Sequence, residues 1–268
     1  MSHETDTSFL DKREILEVIF PVAYSPFMFG PPSRGSIPGA NTYFVEVENG
    51  VKVGCGMWAL GKEYPTVLYF HGNGEEAADY EMIAQFYNQV GVNLFVADYR
   101  GYGLSNGKPT VSNMVKDSHK VFKEFTRILA GEGYRESHFL MGRSLGSIPA
   151  IEIAYHHQDE VRGLVIESGT ANNLRRLWEY LSEKEKEKLL SGTFLNKEKI
   201  KAVTIPTCII HGELDQILPV REGLELYESS GSKDKDLLVI PGADHNDLMV
   251  HGMQEYFSLL GDFFAKYA

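Results

Sequence analysis

FLMGRSLGSIPAIEIA, Phe139 to Ala154, changes character midway: an apolar run halts at Gly142-Arg143-Ser144-Leu145-Gly146, and a helical pattern of small and apolar residues follows at once. A strand that turns sharply into a helix, with one side chain projecting from the turn, forces that residue into strained backbone angles. Bulky neighbours two positions away on either side would collide. Glycine at both flanks relieves the crowding, and the helix that follows aims its unpaired N–H groups and partial positive charge at Ser144. G-x-S-x-G alone arises by chance, as a glycine-rich turn with an incidental serine. Its weight here comes from context: an expected strand before it, an expected helix after it, and the small residues Ser147 and Ala150 next.

Short β-rich runs alternate with helical patterns on both sides of this stretch, which argues for a mainly parallel sheet covered by helices. Thr42–Val47 and Val51–Leu60 are joined by Asn49-Gly50, a tight-hairpin signal, so these two runs are expected to be antiparallel. Later runs end in turn residues: TVLYF before His71-Gly72-Asn73-Gly74, NLFVAD before Tyr99-Arg100-Gly101, VRGLVIE before Ser168-Gly169, TCII before His211-Gly212, and DLLVI before Pro241-Gly242. Loops at the carboxyl edge of a parallel sheet are where open α/β folds place ligands. Three apolar stripes at helical spacing read as core-facing helix surfaces: Tyr80, Ile83, Ala84 and Tyr87; Val121, Phe125, Ile128 and Leu129; and Tyr256, Leu260, Phe263, Phe264 and Tyr267.

Between Thr170 and Val203 the gap separating consecutive strands exceeds a plain crossover. Leu174, Leu177, Trp178 and Leu181 follow helical spacing there, so residues 170–203 are expected to form a small helical cap within a single domain spanning 1–268. The run SEKEKEKLL after it reads as a solvated face.

The chain has 268 residues, 43% of them hydrophobic, which is ample for a buried core. A formal net charge of −11 leaves no general basic field for nucleic acid or an anionic membrane. Cys55 and Cys208 lack metal-like spacing and suit reduced core thiols in a cytoplasmic protein. The first residues, MSHETDTSFLDKRE, have neither a basic start nor an apolar run, and VIFPVAYSPFMFG is broken by prolines. Neither export nor stable membrane insertion is expected. The oligomeric state is not legible.

A serine hydroxyl is a poor nucleophile near neutral pH and needs a base within hydrogen-bond reach, itself held by a third group. His245, in VIPGADHNDLMV, follows a strand and a Pro-Gly turn, which puts it on a loop at the carboxyl edge of the sheet. His3, His119, His138, His156, His157 and His251 read as surface or packing residues, and His71 and His211 as loop braces beside glycine turns. For the acid, Asp215 in TCIIHGELDQILP lies just beyond a buried strand, with Glu167 at the end of the preceding strand as its rival and Glu213 close by. Asp244 and Asp247 flank His245 and read as loop-shaping. An oxyanion would need backbone donors, each typically supplying about 10²–10³ in rate. Leu145 N–H at the helix start and Asn73 N–H in the His71–Gly74 turn are the candidates, with Gly74 as a further donor.

Together the segments YFHGNGE, ADYRGYGLSNGKP, GRSLGS, HGELDQILP and GADHNDL resemble the α/β-hydrolase superfamily, in its serine-hydrolase branch of esterase-, thioesterase- and serine-aminopeptidase-like members. The resemblance runs from about Thr42 to the C-terminus. It implies the α/β-hydrolase fold, an eight-stranded, mostly parallel sheet with strand two antiparallel, flanked by helices. It also implies Ser144 as nucleophile, Asp215 as acid, His245 as base and Asn73 and Leu145 as the oxyanion hole, without metal or organic cofactor. Asp98, Arg100 and Tyr102 are expected to brace the sheet edge through an ion pair and hydrogen bonds, and Arg143 to make a structural salt bridge. The expected reaction is hydrolysis of a carboxylic ester or thioester on a small-molecule or acylated substrate. Phe27, Phe29 and the surroundings of Trp178 hint at an apolar acyl pocket, although Trp178 equally suits docking the cap onto the core. A peptidase or amidase using the same triad, or a hydrolase-like binding protein without turnover, are the alternatives.

Overall fold

Each β-rich run of the sequence becomes a strand in the structure, a computed structural model that describes residues 7–24, 35–172, 175–191 and 194–268. The strands are β1 (Asn41–Glu48), β2 (Val51–Trp58), β3 (Thr66–Phe70), β4 (Asn93–Ala97), β5 (His138–Arg143), β6 (Gly163–Glu167), β7 (Thr207–Gly212) and β8 (Lys235–Ile240). They form one eight-stranded sheet in the order β1-β2-β4-β3-β5-β6-β7-β8. The hairpin partner β2 runs antiparallel to both β1 and β4, and all other pairs are parallel.

The central strands are buried on both faces, so they read as unbroken apolar runs rather than alternating ones. The period of two still sorts them by face. Leu68, Phe70, Leu140, Leu164 and Ile209 enter one core, and Val67, Tyr69, Phe139, Val165 and Ile210 the other. The helices are α1 (Arg13–Ile19), α2 (Pro21–Tyr24), α3 (Glu81–Gln89), α4 (Val111–Glu132), α5 (Ser147–His157), α6 (Glu183–Ser191), α7 (Asn196–Ile200), α8 (Arg221–Ser229) and α9 (Leu248–Tyr267). Residues of α1, α4 and α5 fill the first core, and those of α3 and α9 the second. The long α4 is fixed at its start by a capping box between Thr110 and Asn113 and at its end by Gly133 in a left-handed conformation.

The expected helix through Leu174, Leu177, Trp178 and Leu181 differs in detail. Leu174 lies outside the described residues, and Arg175–Tyr180 is a 3₁₀ helix rather than an α-helix. The Ser182 hydroxyl accepts from Glu185 N–H while the Glu185 carboxylate accepts from Ser182 N–H, which starts α6 afresh and stops the preceding turn. Leu177 and Leu181 are buried, whereas Trp178 is 40% exposed.

Candidate active site

The loops after β3, β5, β7 and β8 meet at the carboxyl edge of the sheet, and each carries one of the residues singled out in the sequence. Ser144 follows β5 directly and has φ +52, one of two positive-φ non-glycine residues among those described. Its flanking glycines are required sterically. A Cβ at Gly142 would overlap the Gly146 carbonyl oxygen, and one at Gly146 would overlap the carbonyl oxygen of Phe70 on the neighbouring strand.

Across this edge the Ser144 hydroxyl donates to His245 Nε2 at 2.9 Å, and His245 Nδ1–H donates to Asp215 Oδ2 at 2.6 Å. A carboxylate only accepts, so Asp215 sets the imidazole tautomer and leaves Nε2 free to receive a proton. Ser144, His245 and Asp215 are all buried. The second Asp215 oxygen accepts from the N–H groups of Ile217 (2.9 Å) and Leu218 (2.7 Å). Burial opposes its ionisation, but hydrogen bonds from His211 and His245 and from Leu218 N–H outweigh it and hold the Asp215 carboxyl well below the usual range.

The other carboxylates face elsewhere. Glu167 accepts from Tyr256 OH at 2.7 Å, Tyr69 OH at 3.3 Å and Arg143 Nε at 3.0 Å rather than from His245. Glu213 accepts from Gly242 N–H. Asp244 and Asp247 bond within the His245 loop, as their positions suggested, and Asp244 Oδ1 also accepts from Gln216 N–H in the loop after β7 at 3.0 Å. Arg143 is a structural hub: besides Glu167 it bonds Glu75, and its Nη2 donates to the His245 carbonyl and to Asn246 Oδ1, both at 2.9 Å. Arg143 and Glu167 are register partners on β5 and β6, which sends both side chains out of one face.

His211, read as a loop brace, donates Nε2–H to Leu218 O at 2.7 Å and also lies 3.3 Å from Asp215 Oδ2. His71 Nδ1 donates to Gly72 O and its Nε2 lies 3.3 Å from Asp98. The expected ion pair of Arg100 exists, but its partners are Asp117 and Glu48, because Asp98 turns inward to accept from Ala77 N–H. Tyr102 donates to Asn73 Oδ1 at 2.8 Å, which ties it to the turn beside Ser144.

Ser144 opens into a cavity of about 390 Å³ that Asn73 and Leu145 also line. Its apolar wall comes from Val18 and Ile19 of α1, Ile148 of α5, Leu177 of the 3₁₀ helix and Leu218 of the β7 loop. The sequence reading missed α1 as a wall; the signal was the spacing of Ile15, Leu16 and Ile19. Trp178 instead borders a separate hollow with Leu189 and Leu190, and Phe27 and Phe29 lie outside the described residues. Glu222 was also missed. Its buried carboxylate accepts from Thr170 OH and from the N–H groups of Ala171 and Asn172, which pins the loop after β6 against the cavity.

A family model described as serine aminopeptidase, S33, matches residues 61–197 and 186–251. Alpha/beta hydrolase domain-containing protein 17B of Xenopus laevis is 29% identical over 206 residues, covering 75% of this chain and 66% of that protein. The chain therefore spans about two thirds of that relative's length. Among solved structures, an esterase of Pyrococcus furiosus shares the fold with a TM-score of 0.68 at 21% identity, over 85% of this chain and 92% of the esterase. Est1E of Butyrivibrio proteoclasticus with ferulic acid bound does so with a TM-score of 0.70 at 17% identity, over 84% and 98% respectively.

Proposed function

The chain belongs to the α/β-hydrolase superfamily, in the family described as serine aminopeptidase, S33, and from that premise we propose that it is a serine hydrolase cleaving carboxylic esters or thioesters. The observation that carries the reading is the hydrogen-bond chain from Ser144 through His245 to Asp215 at the head of an apolar cavity.

Ser144 Oγ attacks the acyl carbonyl as His245 Nε2 takes its proton. The carbonyl oxygen becomes an oxyanion facing Asn73 and Leu145 N–H, and Leu145 lies in a first helical turn, where N–H groups lack intrahelical acceptors. The tetrahedral intermediate collapses, the bond to the leaving oxygen or sulfur breaks, and the imidazolium supplies that atom's proton. Water, deprotonated by the same imidazole, then cleaves the acyl-enzyme and restores the serine. Asp215 orients the ring and stabilises its cationic form in both halves.

The apolar wall suits the acyl side of the substrate. An aminopeptidase would need a carboxylate free to meet an α-ammonium group. Glu222 is among the cavity's lining residues, where its Oε2 braces the wall by accepting from Thr170 OH and from Ala171 and Asn172 N–H; the substrate panel below separates the ester, thioester and peptidase readings. We place the protein in the cytoplasm, supported by two free, buried cysteines. No helix among the described residues is long and apolar enough to cross a membrane.

Labelling with a fluorophosphonate probe tests the nucleophile. Wild type is expected to be labelled and Ser144→Ala is not; an unlabelled wild type, or equal labelling of both, removes Ser144 from its role. Hydrolysis of a matched panel of butyryl ester, butyryl thioester and aminoacyl anilide then separates the ester, thioester and peptidase readings.

A further inference from the structure

On the face of the sheet covered by α4 and α5, three side chains with no part in the hydrolytic site converge. Glu152 and His156 stand at i and i+4 on one face of α5, and α4 lays His119 against them. His119 Nε2 is 3.2 Å from Glu152 Oε1, His156 Nε2 is 3.3 Å from the same oxygen, and the three atoms lie within 4.8 Å of one another. A tetrahedral zinc ion with bonds of about 2.0–2.2 Å holds its ligand atoms roughly 3.3–3.5 Å apart, and two Nε2-bound imidazoles with ring centroids about 5 Å apart. The His119 and His156 rings are 5.2 Å apart with their planes at 68°.

The proton count in the surrounding chain points the same way. His157 Nδ1 lies 2.8 Å from Glu160 Oε1, and a carboxylate can only accept, so His157 carries its proton on Nδ1. In a neutral ring, His157 Nε2 is then a bare acceptor, 3.2 Å from His119 Nδ1, which must donate to it. That leaves the lone pair of His119 Nε2 aimed at Glu152 Oε1, acceptor against acceptor. One further positive charge resolves the conflict: a proton on His157 or on His119, or a metal ion between His119 Nε2 and Glu152 Oε1. Lys199 bonds the other Glu152 oxygen, leaving Oε1 to the imidazoles.

We infer that His119, Glu152 and His156 form a binding site for a divalent transition ion of the zinc class, with His157 and Glu160 fixing the His119 tautomer. Two neutral imidazoles and a carboxylate are a donor set that zinc accepts, with a fourth position left for water. The His119 and His156 side chains are 31% and 29% exposed, so the ion exchanges with solvent. The Lys199 ammonium opposes its charge, so the expected Kd is on the order of micromolar. Glu152 and His156 lie five and nine residues past the first residue of α5, about 8 and 14 Å along its axis, so the ion is separate from Ser144 and clamps α4 to α5.

Isothermal titration of the full chain with zinc chloride, after removal of adventitious metal with EDTA, tests the site. One ion per chain is expected, with affinity weakened by about tenfold or more in His119→Ala and in His156→Ala, and unchanged in His251→Ala as a surface control. In parallel, Co²⁺ is expected to develop the visible bands of tetrahedral coordination in wild type and to lose them in His156→Ala. If His119→Ala fails to fold, the partly exposed His156 carries the comparison, checked by circular dichroism. Absence of saturable zinc uptake overturns the inference and leaves the further charge to a proton. Uptake that survives both substitutions unchanged overturns it as well, because the ion then binds elsewhere.

Discussion

Replacing Asp215 by Asn alters one donor–acceptor relation while keeping the shape of the side chain. Asp215 Oδ1 faces the N–H groups of Ile217 and Leu218, so the amide of an asparagine must turn its oxygen there and its NH₂ toward His245. The Nδ1 atom that sits 2.6 Å away then has to accept instead of donate. The imidazole proton moves to Nε2, which faces Ser144 Oγ at 2.9 Å and can no longer take the hydroxyl proton. His211 Nε2–H, 3.3 Å from Oδ2, sits against the incoming NH₂ and opposes the same rotamer, so no orientation of the amide satisfies all its neighbours. A wrong tautomer with intact geometry lowers kcat by about 10⁴, equivalent to about 5.4 kcal/mol of barrier. The assay is steady-state hydrolysis of p-nitrophenyl butyrate by wild type, Asp215→Asn and Glu167→Gln, with thermal melts to verify folding. Glu167→Gln is expected to lose about tenfold or less, since its partners are Arg143 and two tyrosines rather than His245. A folded Asp215→Asn within tenfold of wild type, or a greater loss in Glu167→Gln, refutes the reasoning and moves the acid to β6.

Gly146→Ala places a methyl group into the Phe70 carbonyl and is expected to cost about 3 kcal/mol or more, read as a lowered urea midpoint; an unchanged midpoint contradicts the packing of the turn. Ile19→Trp fills the apolar end of the cavity and is expected to reduce kcat/KM for octanoyl relative to acetyl esters by about tenfold, whereas an unchanged ratio removes α1 from the acyl wall. Glu222→Ala strands the N–H groups of Ala171 and Asn172 and is expected to destabilise the fold by about 2–3 kcal/mol in denaturant titration. Asp215 and Glu75 are both held below their ordinary pKa, Asp215 by the bonds described above and Glu75 because Arg143 and His71 outweigh its burial. A depressed carboxyl contributes stability that is present above the unfolded pKa of about 4 and lost as pH falls through the folded value. Stability is therefore expected to decline on acidification below about pH 4, with a shallower slope in Glu75→Gln; flat stability through this range sinks the assignment.

The fold was legible because its determinants are local. Asn49-Gly50 closes a hairpin through its own backbone preferences, the apolar runs of β3 to β7 announce strands buried on both faces, and glycines 142 and 146 mark a turn no larger residue could make. His245 and Asp215 could be found as residues at strand ends, because a parallel sheet delivers every strand's carboxyl end to the same edge. Asp215 and Glu167 both sit at such ends, and the family resemblance chose Asp215 between them. The register of β5 with β6 sets Glu167 beside Arg143, where Tyr256 also bonds it, while the loop after β7 aims Asp215 at the His245 ring.

The amino-acid sequence by itself thus determined the order of elements, the strained serine turn and the set of groups at the carboxyl edge, since each depends on the sterics and hydrogen bonding of neighbouring residues. Only the tertiary structure supplied the contact between Asp215 and His245, showed that α1 rather than Trp178 walls the cavity, and placed His119 on α4 against Glu152 and His156 on α5. Those relations join segments far apart in the chain. Their geometry is set by how helices pack against the sheet, and no local pattern encodes a side-chain direction across that distance.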